Sequence, residues 1–438
     1  MKFSPAILLF MTLSIFPATS AASLPPNIST VANNGMPRDI VPRRSEWNFG
    51  PGSLWTHKGW QYAAYWDKDR QVSVARRQLP TGNWSVVSLP GYSRTESGDR
   101  GKGGSISRGF GDGHEKVALG ISPDGVIHLS FDHHLSTLRY RTSLQPIAND
   151  PKSYPWDAKL FGPVQDNLGG PRLTSVTYPS FHTDGKHFLC HMRLGGGSGS
   201  ANSHLFSYVD EKWTINSELE SQIIDKNWSG GDGTVNAYPF GFIFHNNRLH
   251  LTWCWRDNPD SKSSHDLCYA YSDDYGSTWK NNHGTTIGER GKKIIAPDSP
   301  GLTVWKIAPG RRYRNGGSMT VDSEGRVHVL ARGRDGKPYH YRRCHKSYEW
   351  SQDQAPRFGS FLTSSQPTQT IFSEGRLYSL KPSKNWNWTL LSDTPEAFSE
   401  DSKPGRDQFR FAHDGWVSII GQQGLKVRSI DFPLMPSK

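Results

Sequence analysis

Seven short turns, each set beside runs of alternating apolar residues, limit what this chain can fold into more than any other feature. They are Lys58-Gly59, Asp124-Gly125, Asp184-Gly185, Asn246-Asn247, Glu324-Gly325, Glu374-Gly375 and Asp414-Gly415. Glycine or asparagine at the second position supplies the positive φ that a tight hairpin needs. Strand-like runs follow, among them Val126–Phe131, Leu249–Trp253 and Val327–Leu330, and most lead into a second run such as Leu138–Arg141 or Tyr339–Arg342. The spacing between turns runs from 40 to 78 residues, which suits four-stranded blades joined by variable loops. With 44 Gly, 29 Pro and only 34% hydrophobic residues, the chain has neither a helical nor a membrane pattern. The expectation is an all-β protein folded as one seven-bladed β-propeller.

The ends of the chain bear on its compartment. Lys2 precedes the apolar run Ile7–Met11 and the small residues Ala18-Thr19-Ser20, so residues 1–20 read as a cleavable signal peptide and 21–438 as a single domain. No later apolar stretch is long enough to cross a bilayer, and no lipidation signal closes the chain. Acceptor sequons at Asn27, Asn83, Asn227 and Asn387 fit a secreted, extracellular glycoprotein, expected as a monomer. The four cysteines, Cys190, Cys254, Cys268 and Cys344, are too few for a disulfide scaffold. Cys254 and Cys268 fall on neighbouring strands and are candidates for a bridge, although spacing alone does not fix connectivity. A net charge of +11 points to an anionic partner. The basic residues are scattered and form no nucleic-acid motif, so a nucleic-acid partner is not expected. Ser272-Asp273-Asp274-Tyr275-Gly276-Ser277-Thr278-Trp279 matches the Asp-box, a structural hairpin turn on the outer strands of sialidase-like propellers.

Hairpin geometry then locates function. Residues equally far before and after a turn face each other at the same sheet edge. His114 and His134 lie ten residues either side of Asp124, and Tyr178 precedes Asp184-Gly185 about as far as His191 and Arg193 follow it. Tyr238 and Arg256 bracket Asn246-Asn247, and Arg314-Asn315 and Arg332 to Arg334 bracket Glu324-Gly325. All these ends should converge on one rim as a polyfunctional anion site. His133 should point to the other face of its strand, and His128 and His250, inside strands, read as core residues.

At these residues the chain resembles the propeller polysaccharide lyases that cleave uronic-acid linkages, which include ulvan lyases and the L-rhamnose-α-1,4-D-glucuronate lyase acting on gum arabic. The resemblance is carried by Gly113-His114, by Asp132-His133-His134-Leu135-Ser136 to Tyr140-Arg141, and by Thr177-Tyr178-Pro179 to His191–Gly199. It implies a catalytic set of His114, His134, Tyr178 and Arg193; the other residues that the turn geometry brings to the rim, His191, Tyr238, Arg256, Asn315, Arg332 and Arg334, are candidate substrate-binding residues. The secretion signals and Trp-rich loops favour the rhamnosyl-glucuronate branch. In that chemistry Arg193 neutralises a uronate carboxylate, His134 or His114 takes the carbon-5 proton, and Tyr178 protonates the leaving oxygen; alternatively Tyr178 does both in a syn elimination while the histidines hold the carboxylate. No cofactor is required, and a structural calcium on the propeller axis remains open. Two rivals share the fold. A sialidase-like hydrolase needs a Tyr–Glu pair and normally several Asp-boxes, and a lectin explains the basic rim but not the His-His-Tyr-Arg grouping.

Overall fold

The alternating apolar runs form antiparallel strands grouped into seven sheets, the blades of a seven-bladed β-propeller. The structure is a computed structural model and describes residues 25–36, 49, 52–94, 116–197, 200–215, 217–226, 235–309, 313, 316–382, 386–394, 398 and 404–434. The expected signal peptide, His114 and Asn315 lie outside the described residues.

From the axis outward, blade 1 comprises Leu54–His57, Trp60–Trp66, Val72–Gln78 and Ser85–Leu89. Blade 2 comprises Val117–Ile121, Ile127–Phe131 and Tyr140–Thr142. Blade 3 has Val176–Thr183, Phe188–Gly195, Ala201–Val209 and Lys212–Thr214, and blade 4 has Asn236–His245, Arg248–Arg256, Ser264–Ser272 and Thr278–Lys280. Blade 5 is Gly317–Val321, Val327–Arg332, Pro338–Arg343 and Trp350–Gln354; blade 6 is Ser360–Phe361, Gln369–Ser373, Arg376–Lys381 and Asn387–Asp393. In blade 7 the strands Gly405–Arg406, Trp416–Gln423 and Lys426–Pro433 are completed by Asn27–Ala32 from the other end of the chain, with Asn27 opposite Asp431.

Five of the seven turns join the first and second strands of blades 1 to 5, as their spacing predicts. The other two do not. Glu374-Gly375 joins the second and third strands of blade 6, on the opposite face, and Gly415 caps the short helix Arg410–Asp414 between the first two strands of blade 7. In both blades the inner strand is only two residues long and its connection to the second strand is longer than a tight hairpin. The Asp-box behaves as a local clamp between the third and fourth strands of blade 4. Asp274 accepts from the Thr278 amide and hydroxyl, both at 2.7 Å, while Trp279 is buried beneath.

Blades pack through aromatic wedges. Trp66 meets Phe131 edge-on at 5.9 Å between blades 1 and 2, and Phe181 stacks on Phe188 at 5.5 Å where blade 3 meets blade 2. Gly120 permits that approach, because a Cβ there would lie 2.5 Å from the Phe181 Cβ. His128 is buried in the same wedge and bonds the Tyr140 hydroxyl at 2.6 Å and Ser122 Oγ at 2.9 Å; His250 likewise bonds the Tyr269 hydroxyl at 2.8 Å. The candidate Cys254–Cys268 bridge is absent: the described cysteines are free thiols. A register shift sets Cys268 opposite Trp253, not Cys254, and both thiols are fully buried.

Candidate active site

The face where inner strands begin and second strands end collects the predicted residues. Thr177 pairs with Arg193 and, on its other side, with His134, because the short strand His134–Ser136 leaves blade 2 to line the inner edge of blade 3. A strand from blade 2 and the first hairpin of blade 3 therefore meet at one point. A register shift between Thr177 and Ser180 marks a bulge, and inside it Tyr178 adopts φ +54°. A bulky residue in the left-handed region stores of order 1–3 kcal/mol, and bulges re-aim side chains near functional sites. The Tyr178 ring lies 6.3 Å from the His134 ring. The Arg193 guanidinium lies 5.7 Å from the Tyr178 ring and 4.3 Å from that of Tyr238.

Tyr178, Arg193, Tyr238 and His191 line a cavity of about 340 Å³ at the mouth of the propeller axis, with Lys116 and Arg406. No aspartate or glutamate contributes to its wall among the described residues. Arg193 is buried, its Nε has no hydrogen-bond partner, and no described carboxylate pairs with it. A buried guanidinium in that state is held ready for an anion. His191 is buried against Phe242, ring centroids 4.7 Å apart, and burial holds its pKa well below the usual histidine range, so it faces the cavity as a neutral ring.

The remaining candidates are placed differently. The Arg256 guanidinium lies 5.5 Å from the Tyr238 ring, but it donates to the Asn258 and Pro259 carbonyls and so braces the loop after its strand. Arg332 donates to the Gly336 carbonyl at 2.8 Å and covers Phe358, while Arg334 is exposed in the following turn; neither lines the cavity. His133, expected on the other face of its strand, instead lines the cavity; it is buried, bonds Ser130 Oγ at 3.0 Å, and burial draws its pKa down to about 3. Arg406, which the turn spacing does not reveal, enters the cavity from blade 7. No described group of three or more His, Cys, Asp or Glu is arranged to hold a metal ion.

Behind Arg256, His265 bridges Asp257 Oδ1 at 3.0 Å and Asp266 Oδ2 at 3.1 Å. Burial alone would lower its pKa, but the two carboxylates outweigh burial and raise it to about 9. A group whose folded value lies above its unfolded value stabilises fully below the unfolded pKa, here about 6.5, and loses that contribution as pH rises through about 9. Denaturation midpoints of wild type and His265→Gln should therefore differ most near pH 6 and converge by about pH 10. A pH-independent gap would show that His265 is not the charged partner.

Residues 60–357 match the BNR repeat-containing family, a span of more than half the sequence. This chain belongs to that family. No curated protein matches the sequence. Among solved structures, this family member is similar to a protein described as a PL25 ulvan lyase of a new polysaccharide lyase family, at 14% identity and TM-score 0.62, covering 95% of this chain and 96% of the other. A second structure of such an ulvan lyase, bound to -[GlcA(1-4)Rha3S]-, aligns at 13% identity and TM-score 0.61 over the same shares. At these identities the likeness is one of fold.

Proposed function

We propose that this chain is a secreted polysaccharide lyase that cleaves a rhamnose–glucuronate linkage of an acidic polysaccharide by β-elimination, with gum arabic side chains as the leading substrate and ulvan as the second. One observation carries the reading: Arg193, a buried guanidinium without a described carboxylate partner, lines with Tyr178 a cavity whose described wall contains no acidic residue, and the His134 ring lies 6.3 Å from that of Tyr178. A glycoside hydrolase of the usual kind needs two carboxylates flanking the bond, and that wall offers neither. The ulvan lyase of the same fold was captured with a glucuronate-containing oligosaccharide, which also supports a uronate substrate.

In this reading the uronate carboxylate pairs with Arg193, whose planar fork matches both oxygens. Neutralising that charge makes the carbon-5 proton acidic enough to remove, and Arg193 then stabilises the enolate as charge moves onto the carboxylate. The C5–H bond breaks to a base, the electron pair returns to form C4=C5, and the C4–O bond breaks as the leaving oxygen takes a proton. No water is added. Tyr178 and His134 handle the two protons, and the 6.3 Å between their rings leaves room for the reacting C5–C4–O segment.

Incubation with gum arabic and with ulvan in heavy-oxygen water tests the chemistry. The expected result is ultraviolet absorbance from a conjugated unsaturated uronate, with no heavy oxygen in the product. A saturated product carrying solvent oxygen identifies a hydrolase and overturns the proposal.

A further inference from the structure

A second buried cation faces the same cavity. Arg406 stands in the two-residue inner strand of blade 7, and its side chain is buried. Its one described hydrogen bond runs from Nη1 to Ser318 Oγ at 2.9 Å, its Nε has no partner, and no described carboxylate pairs with it. The adjacent acid does not help. Asp407 turns outward to blade 1, where its oxygens accept from Thr56 Oγ1 at 2.6 Å and Gln61 Nε2 at 2.8 Å, and from the Arg410 amide at 3.1 Å. Burial lowers the guanidinium only to about 10, so it remains charged at neutral pH. Keeping an arginine charged and uncompensated in a protein interior is costly unless an anion arrives. Arg77 and Arg410, which are buried more deeply still, meet that cost by sharing the carboxylate of Asp431.

Arg406 does not duplicate Arg193. Arg193 belongs to the wall built by blades 3 and 4, where it packs on Tyr178 and Tyr238. Arg406 springs from blade 7, three blade steps from the blade 3 strand that carries Arg193, or about 150° round a seven-fold ring, and it reaches toward Ser318 of blade 5. The cations therefore stand on opposite walls of one cavity, with apolar Phe240 and Phe242 also lining it.

We propose that Arg406 forms a second anion subsite, which takes an oxyanion carried by the sugar next to the reacting uronate, either a sulfate ester or a second carboxylate. This rests on the reading that the cavity binds a uronate-containing chain, and it makes Arg406 a positioning residue for a doubly charged segment.

The test is equilibrium binding by calorimetry in a Tyr178→Phe background, which slows turnover, with and without Arg406→Gln. Three oligosaccharides of equal length serve as probes: sulfated rhamnosyl-glucuronate, its desulfated counterpart, and a glucuronan that carries the second anion as a carboxylate. The background protein should bind the sulfated probe, the glucuronan, or both, about ten- to a hundredfold more tightly than the desulfated probe, as expected for one charged hydrogen-bonded pair. Whichever of the two is preferred names the oxyanion. Arg406→Gln should abolish that preference and leave the desulfated affinity unchanged, and Arg406→Lys should restore part of it. An equal loss for all three probes would place Arg406 on the reacting carboxylate, and no loss, or no preference in the background protein, would leave it a bracket for Ser318; each overturns the proposal. Because binding is read without turnover, a failed absorbance assay on wild type would count against the lyase chemistry and not against this subsite.

Discussion

Replacing Asp431 by alanine is expected to destabilise the folded chain by about 3–5 kcal/mol, the cost of removing one partner from a buried ion network. Asp431 is fully buried on the third strand of blade 7 and accepts from Arg77 Nη2, Arg410 Nη1 and Ser418 Oγ, each at 2.7 Å. Both arginines are essentially inaccessible to water. Arg77 comes from blade 1 and Arg410 from the helix inside blade 7, so the carboxylate ties the last blade to the first. The same residue pairs with Asn27 on the strand that closes the ring. Alanine would leave Arg77 with Gln61 as its chief acceptor, and would leave Arg410 with Asp414 as its one carboxylate beside the Ser418 hydroxyl and the Pro80 carbonyl. Urea denaturation should show the loss as a lower midpoint, whereas Asp393→Ala, which removes a half-exposed pair with Arg376, should cost no more than about 1 kcal/mol. Equal effects from the two substitutions would mean that the seam is not closed by this network.

What the sequence reveals about the fold divides along the same seam. In blades 1 to 5 the inner strand and its neighbour are joined within a few residues, so a Gly- or Asn-bearing turn announces the blade. Counting outward from each turn then places Tyr178 against Arg193 to within a residue, despite the bulge between them. In blades 6 and 7 the inner strand shrinks to two residues and no periodicity survives over so short a span. The next glycine turn along the chain belongs to a different junction, and a count from it misplaces the strands. Arg406 was hidden for this reason, since its strand is too short to register as one. The closing strand Asn27–Ala32 was hidden for another: its partner, Lys426–Pro433, lies at the far end of the chain, and pairing across such a separation leaves no local mark. Cys254 and Cys268 show the limit of spacing at closer range, because one register shift between their strands breaks the alignment that a bridge requires. Arg332 and Arg334 sit at the predicted edge, yet on the correct face a side chain still has to reach the axis, and Arg332 is spent on the turn beside it.

Within the site, charge neutralisation and proton transfer should fail differently when altered. Tyr178→Phe removes only a hydroxyl, and a general acid or base typically contributes about a hundred- to ten-thousandfold, so kcat should fall by that order while KM stays near its wild-type value. The ring that packs against Arg193 and His134 is retained, so folding should be undisturbed. Arg193→Lys keeps a positive charge but loses the planar fork and the stacking against Tyr238, 4.3 Å away. Because the enolate carries more charge on its carboxylate oxygens than the bound substrate does, the fork matters more in the transition state than in the ground state. Its loss should therefore also appear mainly in kcat, and thermal melting should confirm that the variant is folded. His134→Ala should fall within or beyond the range of Tyr178→Phe. If Tyr178→Phe instead kept most of its kcat at saturating substrate and only raised KM, Tyr178 would be a sugar contact, and the proton donor would have to be sought among the histidines.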